Sequence, residues 1–128
     1  MLNYAVIIQY LTEELNIPNI RIAEWLNLDP SIISNIKNNK RGMQKDISCD
    51  VFYKDVFRQS DIGTDFQSVH NLYTYVLNTE NSNEVIDTAY SDYKEHRSHE
   101  AAETFLLTLL KEVRYEKNAV SPKSASKS

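Results

Sequence analysis

Two polar residues one helical turn apart, Ser31 and Asn35, could recognise the edges of nucleic-acid bases. The amide of Asn donates to adenine N7 while accepting from N6, and the hydroxyl of Ser can donate or accept. Ile32 lies beside them, and an exposed Ile would pack against a thymine methyl group or bind another protein. The alternative for Ser31 and Asn35 is a solvated helix face without a ligand.

Basic residues follow this pair closely. Between residues 35 and 45 the chain carries Lys37, Lys40, Arg41 and Lys45 and no acid. Such side chains bind phosphates, which gives affinity without sequence information. The net charge of the whole chain is -4, but it is unevenly distributed. Residues 1–45 hold 5 basic and 4 acidic residues, whereas residues 46–128 hold 9 basic and 14 acidic residues. This asymmetry predicts a DNA-facing N-terminal unit and an acidic remainder directed elsewhere.

A short helix over about residues 18–26 must support this surface. Ile22, Ala23 and Leu26 fall on one face of it. Asn27 then stands where the chain must reverse, and Asn is the non-glycine residue that best tolerates a left-handed backbone. The sequence therefore predicts a tight turn at Asn27.

A second helix begins after this turn. Asp29 can cap its free N–H groups, and Pro30 suits its first position, where a missing donor costs nothing. Ile33 and Ile36 are predicted to point inward, and residues 38–39 to end the helix. The outward side would then carry Ser31, Ile32, Ser34, Asn35 and Lys37.

Residues 2–57 resemble the Cro and lambda-repressor-like (Xre-type) helix-turn-helix domains, most sharply over residues 15–41. That family usually has Gln, Ala and Gly in its supporting helix and turn, where this chain has Asn19, Ala23 and Asn27. Its recognition helix usually reads Ser/Thr-x-Ser-x-Ile-Ser-x-Ile, then Asn-Gly-Lys. Here residues 29–36 read DPSIISNI, and Asn39 and Lys40 occupy the Gly-Lys positions. Pro18 replaces the usual Ser or Thr cap.

The resemblance implies a sequence-specific regulator that binds double-stranded DNA, a dimeric repressor acting by promoter occlusion. Its base contacts would come from Ser31, Ile32, Ser34 and Asn35. Its phosphate contacts would come from Asn19, Lys37, Asn38, Lys40, Arg41 and Lys45. Short half-sites normally require two copies of such a domain. A phage-type or antitoxin-like control protein would have the same architecture.

Helices are also expected elsewhere, so the predicted fold class is all-α. Tyr4, Ile8, Leu11 and Leu15 share one face of a helix over residues 3–15. After Gly42, a helix capped by Asp46 would run to about residue 58 with Ile47, Val51 and Val56 inward. A strand stays possible there, because that segment is rich in aromatic and β-branched residues.

Three further helices are predicted, capped by Thr64, Asn81 and Ser98. The first would run to about residue 77 and the third over about residues 99–115, and the second would carry Val85, Ile86, Ala89, Tyr90 and Tyr93. Together they would form a helical dimerisation or partner-binding region at residues 61–115, after a DNA-binding domain at residues 1–60. Residues 116–128 lack apolar content and are predicted to be a disordered tail.

The last predicted helix carries an apolar stripe spaced like the seam of two packed helices. The expected dimer interface is Ala102, Phe105, Leu106, Leu109, Leu110 and Val113. The alternative is that this helix lies inside its own protomer. Trp25 also has two interpretations: it could anchor an interface with a partner, or it could pack against the C-terminal helices of its own chain.

Other functions receive less support from the sequence. His96, His99 and Glu103 could share a face, but no second-shell partner is identifiable, so no metal site is predicted. Cys49, the single Cys, has no nucleophile signature around it, and we expect neither a cofactor nor enzymatic activity. The main rival is a protein-binding inhibitor or accessory factor whose acidic C-terminal half binds a basic partner, while its helix-turn-helix serves autoregulation. Lacking a signal sequence or an apolar run of about 20 residues, the chain is expected to be cytoplasmic.

Overall fold

A computed structural model describes residues 2–80 and 83–117, and this part of the chain is 66% helical without a β-strand. The all-α prediction is confirmed there. The helices are α1 (Tyr4–Gln9), continued by a π-helical turn (Tyr10–Glu14); α2 (Asn19–Leu26); α3 (Pro30–Lys37); α4 (Cys49–Phe52), continued by a π-helical turn (Tyr53–Phe57); α5 (Phe66–Glu80); α6 (Glu84–Glu95); and α7 (His99–Lys111). None of these helices is both long and apolar enough to cross a membrane.

Local chemistry sets the ends of α2 and α3 as predicted. Asn27 ends α2 with φ 58°, in the left-handed region. The Asp29 carboxylate caps α3 by accepting from the Ser31 N–H at 2.8 Å, and Pro30 is the first helical residue. Asn39, two residues beyond α3, turns the chain with φ 57°.

The predicted start of α4 is wrong. Ser48 caps the helix by accepting from the Val51 N–H at 3.1 Å, whereas Asp46 lies in the preceding turn. Val51 is also 37% exposed, rather than inward as expected, whereas Ile47 and Val56 are buried. The segment is helical, so the strand alternative is excluded.

Two caps farther along also differ from prediction. Asp65 replaces Thr64 at the start of α5, where it accepts from the Ser68 N–H at 2.8 Å, while the Thr64 hydroxyl bonds back to the Asp61 carbonyl. Asn83 caps α6; the predicted Asn81 lies outside the described residues. α5 continues to residue 80, past its predicted end.

The start of α7 agrees with prediction and its end does not. Ser98 caps the helix by accepting from the Ala101 N–H at 3.0 Å. The helix ends at Lys111, four residues earlier than expected. Residues 113–117 then run back towards the N-terminal half, and we call them the C-terminal strap.

Among the described residues, one hydrophobic cluster joins both predicted regions of the chain. α7 packs against α6, α4 and the π-helical turn that follows α4. The six side chains assigned to a dimer interface are buried in this cluster, each 4% exposed or less: Ala102, Phe105, Leu106, Leu109, Leu110 and Val113. That assignment is therefore corrected, because the apolar stripe is covered by helices of its own chain.

Hydrogen bonds along its length hold the C-terminal strap. The Arg114 N–H donates to the Leu2 carbonyl at 2.9 Å, and the Met43 N–H donates to the Tyr115 carbonyl at 2.8 Å. The Tyr115 hydroxyl donates to the Ile47 carbonyl. The strap thus spans from the start of α1 to the loop that follows α3.

Candidate nucleic-acid interface

The inward side of α3 anchors the helix. Ile33 and Ile36 are at most 1% exposed and belong to the core between α1 and α2. Gln9 of α1 donates through Nε2 to the Lys37 carbonyl at 3.0 Å, which satisfies a free carbonyl in the last turn. The opposite side of α3 is therefore held in a defined orientation towards solvent.

Among the predicted base-contact residues, Ser31 is already engaged. Its hydroxyl donates to Asp29 Oδ1 at 2.7 Å, and the same carboxylate oxygen accepts the Ser31 N–H. These bonds lower the pKa of Asp29. The sequence analysis missed this pairing, which leaves the Ser31 oxygen free to accept from a base amino group but commits its proton to Asp29.

The side chain of Asn35 differs from that of Ser31 in its hydrogen bonding. Its side chain is half-buried and makes no hydrogen bond to another described residue. Its backbone carbonyl accepts from the Lys40 N–H at 2.8 Å, which fixes the residue locally. Asn35 therefore presents a donor and an acceptor next to a backbone carbonyl that is already bonded.

Ile32 and Ser34 flank this amide and are both half-buried. Part of the Ile32 side chain packs against the core, so less of it faces outward than the sequence suggested. The rest of that side chain remains available for apolar contact beside Asn35.

Cations follow the C-terminal end of α3 in the chain. Lys40, Arg41 and Lys45 are exposed, and Arg41 Nε donates to the Gly42 carbonyl at 3.2 Å. Lys37 is more enclosed, with Nζ 3.9 Å from the Glu13 carboxylate. The exposed cations of the loop therefore provide the stronger attraction for an anion, and Lys37 the weaker.

The two predicted Asn contacts to phosphate lie at helix ends. Asn38 is exposed immediately after α3, and half-buried Asn19 is the first residue of α2. Pro18 provides no side-chain cap to α2. Backbone N–H groups in its first turn can therefore bond a ligand oxygen or water.

A buried amide, Asn3, connects the end of α3 to the C-terminal strap. It is 1% exposed, and its Nδ2 donates to Asn39 Oδ1 at 3.2 Å and to the Glu116 carbonyl at 3.3 Å. Its Oδ1 accepts from the Val6 N–H and caps α1. Sequence reasoning missed the two long-range bonds, since an Asn before an apolar helix predicts only the cap.

The loop after α3 packs tightly against the strap at Gly42. A Cβ atom at this position would lie 2.1 Å from the Tyr115 carbonyl oxygen and 3.0 Å from the Glu116 Cα. Only glycine allows this approach without moving backbone. The strap therefore positions the loop that carries Lys40, Arg41 and Lys45.

The remaining candidates do not assemble into a site. No three His, Cys, Asp or Glu side chains converge on a metal position within residues 2–80 and 83–117. Glu103 lies 3.9 Å from Arg58, and His96 and His99 are exposed. Burial raises the pKa of the Cys49 thiol, which disfavours the thiolate that a nucleophile needs.

Trp25 packs partly against the core and borders an open groove of about 400 Å³ that Ile17 and Arg21 also line.

Comparisons with protein-family models, with curated proteins and with solved structures give no significant match to this chain.

Proposed function

We propose that this protein is a sequence-specific DNA-binding regulator in which α2 and α3 act as a helix-turn-helix and α3 enters the major groove. The observation that carries the proposal is the Asn35 amide, which makes no hydrogen bond to another described residue and lies on the outward side of α3, shortly before the exposed cations Lys40 and Arg41 in the chain. An eight-residue helix is about 12 Å long, and the major groove is about 12 Å wide.

The residues divide by chemistry into two roles. Asn35 would pair with an adenine edge, Ser31 and Ser34 would accept or donate at neighbouring bases, and Ile32 would contact a thymine methyl group. Lys40, Arg41 and Lys45 would bind phosphates, supported by Lys37 and by Asn19 and Asn38 at helix ends. Binding alone would repress a promoter, since an occupied promoter excludes polymerase, and no catalytic step is required.

The proposed repressor would act as a pair of copies on two half-sites. The apolar residues of α7 are already buried inside the protomer, so the second copy must contact a different surface. Sedimentation of the free protein and of its DNA complex would give the number of copies in each.

Selection from random duplex DNA, followed by fluorescence anisotropy on the selected sequence, tests the proposal. With about three phosphate contacts per protomer, log K should fall against log salt with a slope near −3 per protomer. Lys40→Glu with Arg41→Glu should abolish binding to every sequence, whereas the same charge change at exposed Lys54 and Lys94 should not. Absence of association with any duplex at low salt would end the proposal.

One observation favours the accessory-factor alternative. α6 carries Glu84, Asp87, Asp92 and Glu95 against one Lys, and Val85 on the same helix is 50% exposed. An acidic surface with an apolar residue suits a basic protein partner. A photo-crosslinking residue at position 85, compared with one at exposed position 54, would test it. Site-specific crosslinks to a single basic protein would support the alternative, and equal background at both positions would oppose it.

A further inference from the structure

An open groove of about 380 Å³ is lined by the π-helical turn that follows α1 and by helix α5. Tyr10, Glu14 and Leu15 line it from the turn, and Thr74 and Tyr75 line it from α5. The Leu15 N–H donates to the Tyr10 carbonyl at 3.2 Å, which is the five-residue spacing of a π-helix. Because this turn is wider than an α-helical one, it brings an aromatic ring, a carboxylate and an apolar side chain to the same side.

The two tyrosine rings that line the groove contact each other. The centroids of Tyr10 and Tyr75 are 5.1 Å apart, and the ring planes are inclined by 58°. Burial, and after it the charge of Glu14, raise the pKa of Tyr10, and burial followed by Glu13 and Glu14 raises the pKa of Tyr75. Carboxylate charge therefore acts at both phenols. Since aromatic faces and carboxylates both attract cations, the groove is suited to a positively charged ligand.

Other aromatic rings of this chain have a cation from the chain itself. Three cations lie 3.8 to 5.3 Å from a ring centroid: Arg97 over Phe66, Arg58 over Tyr53, and Lys94 over Tyr90. Within residues 2–80 and 83–117, no cation lies over Tyr10 or Tyr75 in this way, and Glu14 is the one charged residue that lines the groove. The groove thus combines the aromatic and acidic groups of a cation site without a cation from the described part of the chain.

The polar groups of α5 at this groove favour a ligand with N–H donors. The Thr74 hydroxyl donates to the Asn71 carbonyl at 3.0 Å, so its oxygen is left to accept from a ligand. Asn71, which also lines the groove, accepts through Oδ1 from Gln67 Nε2 at 2.7 Å and keeps a second lone pair. A guanidinium group carries five N–H donors on a planar cation that stacks on aromatic rings, whereas a quaternary ammonium carries none.

We propose that this groove binds a guanidinium group, whose plane packs against Tyr10 and Tyr75 and whose N–H groups donate to the Glu14 carboxylate. An arginine side chain of a partner protein and a free guanidino compound share this chemistry. The proposal does not depend on DNA binding, because no residue of α3 lines the groove. Its failure would leave the proposed function unchanged.

NMR titration of the isotope-labelled full chain with N-acetyl-arginine amide tests the proposal. The signals of Tyr10, Glu14 and Tyr75 should shift saturably. The matching citrulline derivative has nearly the same shape but no charge, and it should leave these signals unchanged. Agmatine, a free guanidino compound, is titrated in parallel. Tighter binding of the arginine derivative would identify a protein side chain as the source of the group, and tighter binding of agmatine would identify a free compound.

Two variants separate the carboxylate from the ring. Glu14→Gln removes the charge at an exposed position and should raise the Kd for the arginine derivative about two- to fivefold. Glu95→Gln, at an exposed position on α6, is the control and should bind like the wild-type protein. Tyr75→Leu should raise the Kd by a similar factor, about two- to fivefold, whereas Tyr75→Phe keeps the aromatic face and should not.

Three results would each overturn the proposal. The first is equal binding of the arginine and citrulline derivatives, and the second is saturable shifts confined to residues outside the groove. The third is the same Kd in Glu14→Gln and Glu95→Gln. Because Glu14 is exposed, this last comparison stays decisive even if Tyr75→Leu fails to fold.

Discussion

The carbonyl oxygen of Tyr115 occupies the position that a side chain on Gly42 would need, 2.1 Å from an ideal Cβ. The same oxygen accepts the N–H of Met43 at 2.8 Å, so the contact is a bonded one. A residue near the C-terminal end of the described chain thereby positions the loop that carries the candidate phosphate contacts. Loop geometry and C-terminal packing are coupled at this point.

Gly42→Ala should destabilise the protein, because the added methyl group must displace backbone atoms of the strap. Overpacking of this kind typically costs about 1–3 kcal/mol. Urea denaturation measures the loss, with Lys45→Ala, an exposed position in the same loop, as the control. Wild-type stability in Gly42→Ala would mean that the strap moves away without cost.

Asn35→Ala should weaken binding to the selected duplex by about 1–3 kcal/mol and leave non-specific binding nearly intact. Ser31→Ala should cost less, since the Ser31 proton is already donated to Asp29. Anisotropy on selected and random duplexes measures both, and Asn78→Ala, an exposed position on α5, is the control. Equal losses on the two duplexes would show that Asn35 contacts only the DNA backbone.

Leu106→Asp with Leu109→Asp should unfold the C-terminal half, because both side chains are fully buried within the chain and the variant would place two charges in the core. Circular dichroism and urea denaturation would detect the loss. Leu77→Asp, on the exposed surface of α5, is the matched control and should remain folded. A folded monomer from the double variant of a dimeric wild-type protein would restore the interface hypothesis for α7.

Stability should fall as pH rises from 10 to 12. Burial, and then the hydrogen bond from its hydroxyl to Asp87 at 2.8 Å, raise the pKa of Tyr73 from 10.0 to about 12. Below pH 10 the phenol is neutral whether the chain is folded or unfolded; between the two values only the unfolded chain releases the proton, which favours unfolding. Urea denaturation across this range, with phenolate absorbance for the titration, measures the effect.

Tyr73→Phe is the control for this pH dependence, and its stability should fall less between pH 10 and 12 than that of the wild-type protein. Some loss will remain, because burial also raises the pKa of Tyr4 and of Tyr10 above 10.0. A Tyr73 that titrates at its ordinary pKa would show that the Asp87 bond does not hold it neutral.

The amino-acid sequence alone determined those features that depend on neighbouring residues. Asn27, Asp29 and Pro30 specify the turn and the start of α3 through backbone preference and a two-residue hydrogen bond, so both were predictable. Burial of Ile33 and Ile36 follows from helical periodicity, which also divides α3 into an inward and an outward side. The candidate base contacts on α3 could be named from the sequence because the same periodicity places them on its outward side. The candidate phosphate contacts could be named because basic residues follow that helix directly in the chain.

The starts of α4 and α5 were predicted wrongly, because neighbouring residues can each cap the same helix. Ser48 lies near Asp46, and Asp65 is adjacent to Thr64; all four side chains can cap a helix. In the folded chain Ser48 and Asp65 are the caps, and Phe52 and Val69, which follow them by four residues each, are fully buried. Periodicity locates an apolar stripe but not the cap that serves it.

Only the tertiary structure decided where the apolar stripe of α7 is buried. A seam between two copies and a core within one protomer use the same spacing, and Leu106 and Leu109 fit either until the positions of α4 and α6 are known. The bond from Asn3 to Glu116 joins residues 113 positions apart, and no local pattern encodes it. Chain closure over such a distance depends on the packing of every intervening helix, which is why the strap and the position of the cationic loop became apparent only in the folded protein.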